Sequence, residues 1–434
     1  MFLAYVTLGL VERTWRPSRS LGISKAVAFV LLFAVLLCDA QPAAAQFNQL
    51  GAKLVGTGNV GNALQGFSVA LSADSNTAIV GGLSDSSGAG AAWVFIRSGG
   101  SWTQQGPKLV GTGGSTPTQQ GFSVALSADG NTAIVGGLRE AWVFTRVGGI
   151  WTQQGSKLVG TGAVGNVPAF EGRSVALSAD GNTALVGADG DNSGGGATWV
   201  FTRVGGIWTQ QGSKLIGTGA SAPTGQGISV ALSADGNTAL VGGYGDNSGA
   251  GAAWVFTRSG GTWTQQGPKL VGTGNAGKGL QGRSVALSAD GNTALVGGFG
   301  DNSLTGAAWV FTRSDGTWTQ QGLKLVGTGG SAPTQQGRSV ALSADGNTAI
   351  VGGLRDAWVF TRGGESWTQQ GSKLVGVGSV VEEVKHGISV ALSASGRIAV
   401  VGEWTDNSEG GAWVFAEPTP HDFNGTGHGD LAHH

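Results

Sequence analysis

Residues 229–273 fall into four short hydrophobic runs, each closed by a turn signal. In SVALSA, Val230 and Leu232 lie on one side and small Ser and Ala on the other, the two-residue period of a strand. Asp235-Gly236 follows, and Asp-Gly between two strand-like runs is a strong hairpin signal. NTALVGG makes a second strand, and the loop YGDNSGAG leads into AAWVFTR, whose aromatic and β-branched residues suit a third. Ser-Gly-Gly turns the chain again, and TWTQQGPKLVG reads as a fourth strand. No window carries a 3.6-residue period, and Gly interrupts every candidate helix.

The unit recurs through the chain, with the SVALS run starting at Ser68, Ser123, Ser174, Ser229, Ser284, Ser339 and Ser389. The steps between copies are 55, 51, 55, 55, 55 and 50 residues. Copies two and six lack the Gly/Asp/Asn/Ser stretch before AWVF and read VGGLRE-AWVF and VGGLRD-AWVF, so a loop is shortened there while the strands survive. Antiparallel four-stranded units of about 50 residues, repeated this way, describe the blades of a β-propeller. A stacked solenoid is the other architecture open to such repeats, but it needs polar caps, whereas a ring must close. The chain ends favour a ring. FNQLGAKLVGTG at 47–58 aligns with WTQQGSKLVGTG at 151–162, and the seventh copy stops at Ala416-Glu417-Pro418 without a WTQQG segment. The N-terminal strand 47–56 is therefore expected to complete blade seven.

The pattern G-x-SVALS…G-NTALVG…GAAWVF resembles the FG-GAP repeat in its bacterial form, which is related to the propeller of integrin α chains. The resemblance runs from 47 to 417. It agrees with an all-β, seven-bladed propeller. Against the family pattern, the "FG" is reduced to Gly66, Gly121, Gly172, Gly227, Gly282, Gly337 and Gly387, and "GAP" has become VGG or VGA in most copies. Integrin-type blades hold calcium between their first two strands. Here that connection is ADGN or ADSN, too short to surround a cation that needs six to eight oxygen ligands.

Composition adds exclusions. A formal net charge of −1 with 12% charged residues gives no electrostatic case for nucleic acid or an anionic membrane. The 82 Gly follow no G-X-Y period, which excludes collagen. Arg13, Arg16, Arg19 and Lys25 precede an apolar run from Ala26 to Leu37, and Ala43-Ala44-Ala45 offers a cleavage site, so 1–45 reads as a signal peptide. An uncleaved anchor and a lipoprotein signal at Cys38 are the alternatives. Cleavage after Ala45 leaves no cysteine, and no membrane insertion is expected afterwards. The protein is then exported to the periplasm, cell surface or medium as a monomer, with 46–417 as the propeller and 418–434 as a tail.

Chemistry is sparse. The propeller has one histidine, His386, and its recurring acids Asp74, Asp129, Asp180, Asp235, Asp290 and Asp345 sit in the hairpin turn, where Asp bonds its own backbone. No His or Lys recurs beside Ser68 and its equivalents, and the Gly-rich loops lack the helix and Lys of a P-loop. No enzyme is expected. The AWVF tryptophans are expected to pack between blades, and those of WTQQG either cover the blade edge or stack on sugars. The tail HDFNGTGHGDLAHH resembles the start of a calcium-type repeat, with Asp422, Asn424 and Asp430 at ligand positions and Thr426 in place of an Asp. Weak Ca²⁺ binding there, or a remnant without a ligand, are both open; no other cofactor is indicated.

Strand parity puts the second turns and the blade-to-blade links on one face of the ring, the link face. The ADGN and Ser-Gly-Gly turns share the other, the turn face. Links and second turns vary most in length and content, so partner binding is expected on the link face. Candidate contacts are the repeated pairs Asp191/Asn192, Asp246/Asn247, Asp301/Asn302 and Asp406/Asn407, and the individual residues Glu382, Glu383, His386, Glu403 and Trp404 of blade seven. The expected function is an exported, non-enzymatic interaction propeller for a protein or cell-surface glycan, the alternative a multivalent lectin-like one.

Overall fold

The computed structural model describes residues 46–165, 171–221, 223–378, 389–406 and 409–418. They form seven four-stranded antiparallel sheets, each taking its strands in chain order, except that blade seven borrows its outermost strand from the N-terminus. Blade four is typical, with an inner strand Ser229–Leu232, a second Thr238–Gly243, a third Ala252–Ser259 and an outer Thr262–Gln265. Its two-residue periodicity sets the register: Val230 faces Val241, and Val241 faces Trp254. The outer strand is shorter than its sequence suggests. Its ladder stops at Gln265, the chain bulges through Gly267-Pro268-Lys269, and pairing resumes where Leu270 meets Ala253. Proline cannot donate to a ladder, and Gly267 takes a φ of +71° to re-aim the chain.

Blades adhere through the third-strand tryptophan. Trp254 is fully buried in a cluster that joins Ala176, Leu185, Val200 and Leu215 of blade three to Val230, Val241 and Phe256 of blade four. Its indole N–H donates to the Thr218 carbonyl at 2.9 Å, which gives the buried polar atom a partner. The link residue Gly217 lies against the ring so closely that a Cβ there would sit 2.1 Å from Trp254 Cδ1. All seven equivalents are fully buried: Trp93, Trp142, Trp199, Trp254, Trp309, Trp358 and Trp413. The expectation that these tryptophans pack between blades is met.

Around the axis, inner strands are stitched by side chain to backbone. Ser229 Oγ donates to the Gly282 carbonyl of the next blade at 2.9 Å, and Ser389 Oγ donates to Gly66 at 2.8 Å, joining blade seven to blade one. On the turn face, Ala234 N–H donates to Ala289 O, and the same bond runs from blade to blade between the ADGN turns. Closure is completed outside. Asn48 pairs with Ala416 and Gln49 with Phe415; Leu50 N–H donates to Val414 O at 2.7 Å, and Leu54 bridges Ala412. Phe47, standing where other blades have Trp, is buried with Leu374, Trp413 and Phe415.

A variant lacking residues 46–56 exposes the backbone edge of 411–416 and removes Phe47, Leu50 and Leu54 from the core. Such edges template association, so the expected outcome is a lower melting temperature and oligomers by light scattering. A monomer that melts with the parent would disprove closure by this strand.

Candidate functional site

The link face is built first of acid–lysine pairs. In blade four Lys269 Nζ lies 2.6 Å from Asp246 Oδ2, while Asp246 Oδ1 accepts the amide of Ser221 at 2.8 Å. One buried carboxylate thus ties the second turn to the bulge of its own outer strand and to the incoming link. Lys108–Asp85, Lys214–Asp191 and Lys324–Asp301 repeat the pair at 2.5, 2.6 and 2.6 Å, and Lys53 of the N-terminal strand pairs with Asp406. In the shortened blades two and six, Glu140 and Asp356 take over the lysine at 2.7 and 2.8 Å. The expectation that Asp191, Asp246, Asp301 and Asp406 offer contacts to a partner is corrected. All four are at most 1% exposed, and their carboxylates are engaged within the blade. Asn192, Asn247 and Asn302 are exposed, with φ of 46–50°, a left-handed conformation that Asn tolerates better than most residues.

Glu403 is also fully buried, and its carboxylate accepts the Thr405 amide at 2.9 Å. Trp404 is half-buried beside Phe67, ring centroids 6.1 Å apart. Glu382, Glu383, His386 and Asn407 lie outside the described residues, as do the leader 1–45 and the tail residues Asp422, Asn424, Thr426 and Asp430. Among the described residues no three acidic, histidine or cysteine side chains gather where they could hold a metal, and no helix is long and apolar enough to cross a membrane.

The WTQQG tryptophans are half-buried cross-links. The guanidinium carbon of Arg258 lies 5.3 Å from the Trp263 ring centre, and both side chains donate to Gln211 Oε1 of blade three, at 3.1 and 3.0 Å. Arg258 also donates to Asn237 Oδ1 at 2.9 Å in its own hairpin turn. That turn closes as expected: Asp235 accepts from Ser233 Oγ and Asn237 N–H, and although burial pushes its carboxyl up, these bonds hold it below the usual range. The seam between blades seven and one departs from the pattern. Leu50 stands where Gln211 stands, and Trp102 Nε1 is buried without an acceptor. Between blades six and seven Glu417 replaces the Arg, and Gln370 donates to it at 3.3 Å.

At the axial mouth of the link face the copies differ. Between the recurring Gly and Ser stand Phe67, Phe122, Arg173, Ile228, Arg283 and Arg338; after the second strand stand Leu83, Leu138, Asp189, Tyr244, Phe299, Leu354 and Trp404. Phe67 and Phe122 pack at 4.9 Å with rings tilted 58°. The Arg173 guanidinium covers Phe122 at 4.8 Å and lies 3.8 Å from Asp189, and Arg338 covers Phe299 at 5.5 Å. Burial, then the positive charges of Arg338 and Arg173, push Arg283 down to about 10. Burial raises Asp189, partly offset by Arg173. Asp189 and Tyr244 also border a cleft of about 780 Å³ between blades three and four, with Ser221, Asn247, Lys278 and Leu280. Of this cluster Trp404 alone is singled out in the sequence; the signal for the rest is the substitution of large and charged residues at two fixed offsets inside otherwise uniform repeats. Compared with known proteins, the chain matches no family model and no curated protein.

Two predictions follow from the buried acids. Asp246→Ala strands Lys269 and the Ser221 amide, and by the usual cost of breaking a buried pair should lower stability by about 3–5 kcal/mol in denaturant unfolding; a change under about 1 kcal/mol would refute the clasp. Glu171 stands where five of the other blades have Gln and blade seven has His386. Gln226 both accepts the Gly217 amide at 2.6 Å and donates to its carbonyl at 3.0 Å, whereas Glu171 accepts the Gly160 amide alone. Burial chiefly, with Asp191 and Glu140 nearby, raises its carboxyl from 4.5 to about 7. A raised folded value means that its stabilisation is complete below about pH 4.5 and lost as pH climbs through 7. Glu171→Gln should therefore match the parent near pH 4.5 and exceed it at pH 8 by about 1–3 kcal/mol. Melting curves that stay parallel across this window would contradict it.

Proposed function

We propose that this chain is an exported, monomeric, non-enzymatic binding propeller of the FG-GAP kind, and that its link face receives a protein or cell-surface partner. One observation carries the reading: near-identical repeats diverge at the positions that ring the axis on that face, from Phe67 to Trp404. A rigid ring that holds unlike side chains at one mouth suits recognition. The absence of catalysis in the proposal rests on the residues gathered there, which are Arg, Phe, Leu, Ile, Tyr, Trp and Asp. Glu171, the carboxyl held near neutrality, is 5% exposed and bonded to a backbone amide instead of opening to the mouth.

A second reading, multivalent carbohydrate binding, is favoured by repeated side grooves. Pockets of about 480, 420, 530 and 320 Å³ each include one half-buried tryptophan, namely Trp151, Trp208, Trp367 and Trp102. The two readings separate at the second turns, because the grooves reach link residues such as Thr112 and Thr161 but no second turn. Hydrogen exchange on the mature protein, with a partner captured from the surface extract of its source, should show protection in the links and second turns. Trp404→Ala should weaken that capture. Protection confined to the ADGN turns would overturn the proposal, and glycan-array binding lost with Trp151→Ala and Trp208→Ala would move the function to the grooves.

A further inference from the structure

Arg173, Arg283 and Arg338 differ from the other arginines that the blades repeat. On the turn face, Arg146, Arg203, Arg258, Arg313 and Arg362 each donate to an Asn and a Gln. Each axial guanidinium likewise carries five N–H donors. Yet among the described residues the three together donate one hydrogen bond, from Arg338 Nη1 to Gln335 Oε1 at 2.6 Å. Arg173 Nε and Asp189 Oδ1 are buried without a hydrogen-bond partner, and their 3.8 Å separation is too long for one. Arg283 makes neither a side-chain hydrogen bond nor an ion pair with a described residue, although two like charges lie close enough to depress its proton affinity. Among the described residues, three guanidinium groups thus face one carboxylate, Asp189, held by backbone that repeats elsewhere without them.

We infer that the mouth binds a carboxylate side chain from an acidic peptide segment of a protein partner; this rests on the link-face reading above. Guanidinium forks match carboxylates in a bidentate fashion, and an entering Asp or Glu would satisfy donors that the fold leaves open. The aromatic half of the mouth favours a peptide over an acidic sugar. Phe67 is tilted against both Phe122 and Trp404, at 58° and 57°, and guanidinium groups cover Phe122 and Phe299. The guanidinium groups thus already cover a face of Phe122 and of Phe299, while ring edges and Ile228 suit an aliphatic or aromatic neighbour of the acid. The cleft bordered by Asp189 and Tyr244 gives the segment a path from the mouth toward Lys278.

The test uses the whole mature chain. Random twelve-residue peptides displayed on phage are selected on it, and the winners are resynthesised with a fluorescent label for anisotropy titration. Expected are sequences enriched in Asp or Glu beside an apolar residue, with affinity that falls as salt rises. Arg283→Gln should weaken binding at least tenfold and Arg283→Lys less. Asp189→Asn, which removes the competing carboxylate, should tighten it, and Arg139→Gln, an equal charge change at an exposed link-face position, should leave it unchanged. Matching thermal melts exclude misfolding of these variants. Selection without acidic enrichment, or equal binding by Arg283→Gln, overturns the inference, as does binding of sulfated oligosaccharides in place of peptides. Hydrogen exchange with the bound peptide separates the two levels. Protection on the link face with no effect of Arg283 defeats only the carboxylate site, and protection on the turn face defeats the link-face reading as well.

Discussion

The ring depends on a tryptophan wedged against a backbone that has no side chain to spare. Trp254 reaches across the blade interface, donates to Thr218, and lies flat on Gly217. Each of the seven seams repeats the wedge, so the angle between blades is set by the same three groups every time. Deleting a side chain of this size from a core typically costs 3–5 kcal/mol, and filling the glycine instead would drive a Cβ into the ring. Neither partner can change without the other, and the uniform sequence at both positions is what a closed ring of equal angles requires.

That uniformity frees other positions. Because the wedge and the acid–lysine clasp recur in all seven blades, and the inner serine bond in six among the described residues, the residue between Gly and Ser contributes little to the seam and can vary. Phe, Ile and Arg occupy it while the Ser-to-Leu strand is kept in each blade, although in blade one the strand begins earlier, at Gln65, with a bulge before Ser68. The clasp explains a second economy. Shortening the second turn in blades two and six removes the Asp of the longer loop, yet Glu140 and Asp356 keep the lysine engaged. A cation stranded in the blade would be costly, so loop and charge change together. The seam with Glu417 follows the same logic, with Gln370 donating to the carboxylate that stands in place of the guanidinium.

How far the sequence could be read depended on the range of the physics involved. Strands, hairpin turns, copy number and closure by residues 47–56 were legible, because alternation, Asp-Gly turns and an unpaired outer strand are local or repeated signals. The burial of the AWVF tryptophans was legible for the same reason. The Asp-Asn-Ser sets were misjudged as partner contacts. A turn Asp looks alike whether it faces water or a lysine some two dozen residues away, and only the bulge after the outer strand brings Lys269 to Asp246.

The amino-acid sequence by itself determined the blade, its number of copies and the order in which they close, since each follows from short-range pattern and a count. Tertiary structure alone decided which residues meet. Phe67, Phe122, Arg173, Asp189, Arg283 and Trp404 are spread over more than three hundred positions, and nothing in their local context marks them as neighbours. They converge because inner strands of successive blades pack side by side around one axis, which turns a fixed offset within a repeat into a shared place in space.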